Sequence, residues 1–222
     1  PLGRFAIRAG PVMACEDNFE ITLKGVGSHA AMPHMGVDPL VCGAEIVTAL
    51  QTVVARTMNP SENSVISVTE FITDGTRNVI PGQVTLRGDT RSFLPEIQDH
   101  IEGKMRRIVE GVCAAHGVQG EFHYSHEFVP TINSEREAQI AYDVAQELMG
   151  AENVDKNFPP AMTSEDFGFM LQHKPGCYIL IGNGGDGPGG CGLHNPGFDF
   201  NDDNLTIGAD YWVRLVESQL TN

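Results

Sequence analysis

The sequence predicts an α/β protein in two parts. Residues 16–127 should form a βαββαβ sandwich complete within itself, and residues 1–15 with 128–222 should form part of an α/β domain. Three observations predict this. Hydrophobic periods of two and of three to four residues succeed one another in the order β-α-β-β-α-β across 16–127. The run Cys177-Tyr178-Ile179-Leu180-Ile181 is apolar on both faces, as a strand inside a covered parallel sheet is. The segments outside 16–127 then hold too few strands to complete such a sheet, so one side of the second part is expected to be missing.

Each element has its own signal. Phe19, Ile21 and Leu23 alternate with Glu20, Thr22 and Lys24, the period of a half-buried strand. Asp38-Pro39 reads as an N-cap followed by proline at the first helical position. Leu40, Val47, Leu50 and Val54 recur at helical spacing after it, which predicts an amphipathic helix over 38–56. Val65, Ile66 and Val68 mark the next strand, and Asp74-Gly75 breaks it. Val84 and Leu86 then alternate with Thr85, Arg87, Asp89 and Arg91. From Pro95 the residues Ile97, Ile101, Met105, Ile108 and Val112 step by three or four until Gly117 stops the helix. Phe122 and Tyr124 mark the last strand of a ferredoxin-like sandwich. Beyond it, Ser134 with Glu137 reads as a capping box for a helix running through Ala138, Ala141, Ala145 and Leu148 to Gly150. A short helix should start near Ser164 and another should cover 203–220, while Gly182 to Gly192 reads as a loop.

Composition narrows the function classes. At 41% hydrophobic and 19% charged, the chain can bury a core. Fourteen Lys and Arg against 29 Asp and Glu leave a net charge of −15, which argues against nucleic-acid and anionic-membrane partners. No apolar run approaches the roughly 18 residues of a membrane span, and no signal-peptide pattern opens the chain. It starts at Pro1 rather than Met, so a processed or truncated start is expected. Cys15, Cys42, Cys113, Cys177 and Cys191 are scattered and form no C-x-x-C pair, which points to a reducing compartment and a cytoplasmic location.

Four clusters could carry chemistry. Gly25 to His34 holds His29 and His34 in a Gly/Pro-bounded loop, where they could face one pocket or merely bond backbone. Asn78, within Arg77-Asn78-Val79-Ile80-Pro81, and Arg91 suit a carboxylate together: the guanidinium is a fork and the amide adds a donor. Taken alone, Asn78 reads first as a turn residue. Thr163-Ser164-Glu165-Asp166 reads as a helix start, with acids at the positive end of the dipole. His194, beside Asp199 and Asp202, is a candidate metal ligand, but spacing supplies no partners to finish a zinc site.

Taken in order, SHAAMPHMGVDP (28–39), RNVIP (77–81), GDTR (88–91), SEDF (164–167) and LHNPGFDFND (193–202) closely resemble the metal-dependent amidohydrolases of metallopeptidase family 20. The likeness is to the subgroup of hippurate hydrolase, N-acyl-amino-acid deacylases and indoleacetyl-amino-acid hydrolases. It implies an α/β catalytic domain carrying two divalent metal ions (zinc or manganese, with cobalt or nickel as alternatives) and an inserted ferredoxin-like lid that makes a homodimer. By the same resemblance His29 reaches the partner subunit's active site and polarises the scissile carbonyl. Asn78 and Arg91 match lid positions that hold the substrate's carbonyl or carboxylate, His194 matches the last metal ligand, and Glu165 and His34 lie at motifs near the site. The implied substrate is a small N-acyl amino acid.

The family's other ligand motifs and its general-base glutamate do not occur in this sequence. The resemblance therefore implies the C-terminal part of a longer enzyme, inactive alone. Two other readings stay open. A peptidase of the same family would cleave dipeptides or C-terminal residues. A dimerising module without chemistry would explain the missing ligands, but not the LHNP and SEDF strings. The acyl group is unreadable from any motif.

Overall fold

The computed structural model describes residues 1–185, 187 and 189–220. In chain order its elements are β1 (Phe5–Ala6), β2 (Gly10–Met13), β3 (Glu16–Lys24), β4 (Ser28–His29), α1 (Pro39–Thr57), β5 (Ser64–Thr73), β6 (Val79–Ile80), β7 (Gln83–Ser92), α2 (Pro95–His116) and β8 (Gln119–Phe128). There follow β9 (Thr131–Asn133), α3 (Glu135–Met149), β10 (Val154–Asp155), α4 (Phe167–Leu171), β11 (Leu180–Ile181) and α5 (Asn204–Gln219). They divide into two compact units. One comprises Met13–Pro130 with Met162–Asp166, and the other Pro1–Val12, Thr131–Ala161 and the chain from Phe167 onward. The sequence-based boundaries left 162–166 with the second part; the structure places that segment with the sandwich.

The first unit is a four-stranded antiparallel sheet, in the order β5-β7-β3-β8, with α1 and α2 packed on one face. Period two aims Phe19, Ile21 and Leu23 of β3 and Val84 and Leu86 of β7 at the helices, where all are buried. The Asp38 carboxylate caps α1 by accepting from the Leu40 amide at 2.8 Å. The buried stripe of α1 is Cys42, Ile46, Leu50 and Val53. Leu40 is exposed, and Val47 and Val54 lie only at the margin, so the helix is rolled from the face its periodicity predicts. Each aliphatic side chain buried this way contributes roughly 1.5–3 kcal/mol. Helix α1 is also long and apolar enough to span a membrane by length and composition alone, against the sequence-based expectation. Its apolar stripe is occupied by the sheet and α2. Helix α2 ends where Gly117 turns left-handed at φ 68°, with its amide on the Ala114 and Cys113 carbonyls.

Gly88, in the centre of β7, has no room for a side chain: a Cβ there would run into the Ser67 carbonyl and the Phe19 ring. Gly88→Ala should therefore cost the sandwich about 1–3 kcal/mol, read as a lower urea midpoint with the m-value kept. A loss under half a kilocalorie would show that β5 gives way freely.

The same buried face carries a polar cluster. Asp17 is fully buried beside the apolar row of β3. Its carboxylate accepts from Gln98 Nε2, from the Tyr124 hydroxyl at 2.9 Å and from His126 Nδ1 at 2.9 Å, with Thr90 Oγ1 and Cys15 Sγ further out at 3.4 and 3.6 Å. Burial pushes the Cys15 thiol up to about 11 and raises the Tyr124 hydroxyl further, so both stay protonated and donate.

In the second unit β1 pairs in parallel with β10 and antiparallel with β11. The run 177–181 is thus a strand only over Leu180–Ile181, and it is antiparallel, not the long parallel strand its composition predicts. The buried Asn133 explains the shortening. Its Oδ1 accepts from the Tyr178 amide at 2.7 Å and its Nδ2 donates to the Tyr178 carbonyl at 2.8 Å, so a side chain takes the bonds a neighbouring strand would make. Helices α3 and α5 pack together over Phe5, Ile7, Ala141, Ala145 and Tyr211. The predicted capping box does not form. Ser134 Oγ instead accepts from the Gly176 amide at 3.2 Å, tying α3 to the segment before β11. Asp186 and Pro188 of the predicted glycine-rich loop lie outside the described residues.

Candidate functional site

His29 ends the short β4, which forms a two-stranded ladder with β6: Ser28 faces Ile80 and His29 faces Val79. A tight two-residue turn leads into β6 from β5. Thr76 and Val79 exchange amide-to-carbonyl bonds at 3.3 and 3.1 Å, leaving Arg77 and Asn78 at the tip. The Ala30 amide donates to the Asn78 carbonyl at 2.9 Å, so the histidine strand and the asparagine turn are bonded directly. His29 is exposed. Its Nδ1 accepts from the Ala31 amide at 3.1 Å. A nitrogen that accepts carries no proton, so the ring's own proton sits on Nε2, facing away from that bond. Asn78 Oδ1 accepts from Thr76 Oγ1 at 3.3 Å, which leaves the Nδ2 amide as the donor face of that side chain. His34 lies in the 3-10 turn Pro33–Met35, and among the described residues no hydrogen bond joins it to His29.

Arg91 is placed otherwise than the sequence suggests. Asn78 sits at the Gln83 end of β7 and Arg91 near the other, and the extended backbone from Gln83 to Arg91 covers roughly 25 Å. One small carboxylate cannot touch both side chains of one chain, so the expected Asn78–Arg91 pairing is corrected. Arg91 instead enters an acidic setting. Nε donates to Asp89 at 2.7 Å, and Nη1 meets Glu16 at 3.0 Å and the Ser164 hydroxyl at 3.2 Å. Ser164 in turn donates to Glu16 at 2.6 Å. These contacts hold the guanidinium rigidly, one-fifth exposed.

Sequence reading missed this arrangement. Asp89 had a signal, being two residues from Arg91 on one strand face, whereas Glu16 and Ser164 are brought in from distant segments. Ser164 is not a helix cap, since α4 starts only at Phe167. Beside it, Glu165 raises the Asp166 carboxyl, first by a hydrogen bond and then by like charge.

His194 belongs to the second unit. It is exposed and left-handed at φ 64°, the one non-glycine residue with positive φ among those described. Such a conformation costs on the order of 1 kcal/mol and collects at functional positions. The segment around it is pinned: Asn183 Nδ2 donates to the Asp199 carbonyl at 2.9 Å and Asn204 Nδ2 to the Gly182 carbonyl at 3.0 Å. Among the described residues no three His, Cys, Asp or Glu side chains come together to hold a metal ion. The residues present do not by themselves fit a dinuclear centre.

Comparison with known proteins bears on these positions. Residues 21–218 match the model of peptidase family M20/M25/M40. The chain is 31% identical over 216 residues to N-acetylcysteine deacetylase of Bacillus subtilis, covering 97% of this chain and 55% of that protein. It is 30% identical over 213 residues to hippurate hydrolase of Campylobacter jejuni, covering 96% and 55%. A solved structure of a dinuclear metal binding peptidase of the M20 family from Bacillus subtilis superposes with a TM-score of 0.78 at 26% identity, over 97% of this chain and 52% of that one. The chain thus spans about half the length of the relatives it matches. It belongs to the peptidase family M20/M25/M40.

Proposed function

We propose that this chain is the lid-bearing portion of an enzyme that hydrolyses the amide bond of N-acyl amino acids, hippurate-type substrates included, and that the active form is a homodimer. The observation that carries the reading is the His29 ring, held by the Ala31 amide with its Nε2–H outward on an exposed ladder. A neutral, prealigned N–H donor is what a carbonyl oxygen gathering negative charge requires, because no reorganisation is needed as the charge develops. Asn78 Nδ2 is a second donor, on the turn bonded to the His29 strand through the Ala30 amide. Arg91, steadied through Nε by Asp89 and through Nη1 by Glu16, keeps Nη2 as a fixed, charged donor for the free carboxylate. The roughly 25 Å between the two ends of β7 favours the dimer, in which one copy's His29 and Asn78 serve a site that contains the other copy's Arg91.

The divalent ions implied by the family would supply an activated water when bound. Among the described residues His194 is the candidate ligand by motif, and no step is assigned through the metals here. The test is an assay of the full-length enzyme, supplied with zinc or manganese, against hippurate, N-acetyl amino acids and dipeptides. Turnover of the first two, with the 222-residue chain alone inert, is expected. Turnover of dipeptides only would replace this reading with a peptidase.

A further inference from the structure

We propose that Val79 and Met32 form an apolar wall for the acyl group of the substrate, so that the enzyme prefers bulky apolar acyl groups to acetyl. This rests on the reading of His29 as the carbonyl donor. Val79 lies directly across the ladder from His29. The Ala30-to-Asn78 bond flanks that pair, which makes it the non-hydrogen-bonded kind, with Cα atoms about 4.5 Å apart and side chains at their closest on one face. Whatever presents a carbonyl to the His29 ring therefore meets the Val79 methyls. On the other side the Met32 amide donates to the His29 carbonyl at 2.7 Å, closing a four-residue turn that brings Met32 within about 7 Å of His29.

Both side chains are open to solvent, Val79 at 42% and Met32 at 52%, and Val26 and Met35 are exposed nearby in sequence. Single exposed apolar residues are ordinary, but Val79 and Met32 flank one prealigned polar donor, which marks a recognition surface. Charge sharpens the choice of occupant. In a chain of net charge −15, residues 25–37 contain no Asp, Glu, Lys or Arg. The amino-acid half of the substrate brings a carboxylate, which gains nothing from such a wall, while the acyl half is the apolar part. Methionine, unbranched and polarisable, adapts to acyl groups of differing shape.

The test compares kcat/KM for N-benzoylglycine and N-acetylglycine in the full-length enzyme and in Val79→Thr and Met32→Gln, near-isosteric changes at exposed positions. The benzoyl-to-acetyl ratio should fall roughly tenfold in each variant, the usual scale for an apolar pocket contact. An unchanged ratio overturns the proposal, as does a change in selectivity among amino acids instead of acyl groups. Equal losses on both substrates together with dissociation of the dimer, seen by light scattering, would mean that the patch is a protein contact. If the wild-type enzyme hydrolyses neither substrate, the functional reading itself falls and the wall with it.

Discussion

His29→Ala in the full-length enzyme should lower kcat by roughly 10²–10³, the loss that follows removal of one prealigned oxyanion donor. Fold and metal content should be unaffected, because the side chain is exposed and its single described bond is accepted from the Ala31 amide. The decisive part is complementation. Arg91→Gln should also be nearly inactive, since the charged donor to the carboxylate is lost. If His29 serves the partner's site and Arg91 its own, mixing the two variants restores activity. In a heterodimer, one site then combines an intact Arg91 with a donated His29, and the other has neither. Random exchange makes half the dimers mixed, each with one good site of two, so recovery should approach about a quarter of wild type. With exchange verified, activity that stays at the level of the separate variants would place both residues in one copy's site. That outcome would conflict with the extended length of β7.

The resemblance already implies that His29 serves the partner's site; the separation of Arg91 from it could not have been reached from the sequence. The strings RNVIP and GDTR lie close along the chain, and proximity in sequence suggested proximity in space. The strand between them reverses that, because extended backbone carries residues apart faster than any other conformation. The sandwich itself was legible: periods of two and three to four, Pro39 and Pro95 at helix starts and Gly117 at a helix end are local signals, and they agree with one another. The face of α1 was less so, since Leu40 and Cys42 both fit a helical stripe and only packing on the sheet selects between them. The second unit was hardest. Its segment 177–181 has the composition of a buried strand, but Asn133, more than forty residues away, takes up the Tyr178 backbone, and no local period reports that. His194 stood out by motif, whereas its left-handed backbone needed the structure.

The polar cluster at Asp17 had a legible signal that went unused, and it carries the largest stability effect expected. Asp17 is in phase with Phe19, Ile21 and Leu23, Thr90 with Val84 and Leu86, and Tyr124 and His126 with Phe122, so parity alone sends these polar side chains toward the covered face, with His126 at its exposed margin. A buried carboxylate persists only if its lone pairs are taken, and here Gln98, Tyr124 and His126 take them. Asp17→Ala removes the acceptor these groups share and leaves the buried Gln98 and part-buried Tyr124 donors desolvated, while the exposed His126 can turn to water, so the sandwich should lose about 3–5 kcal/mol. Asp17→Asn keeps the volume and one acceptor, and the Tyr124 and Thr90 hydroxyls can rotate to accept, so about half that loss is expected. The readout is amide hydrogen exchange in β3 and β8, which reports the opening free energy of this unit without averaging over the other. An alanine variant with protection within about 1 kcal/mol of wild type would show that water replaces the carboxylate, and that the cluster is solvated rather than dry.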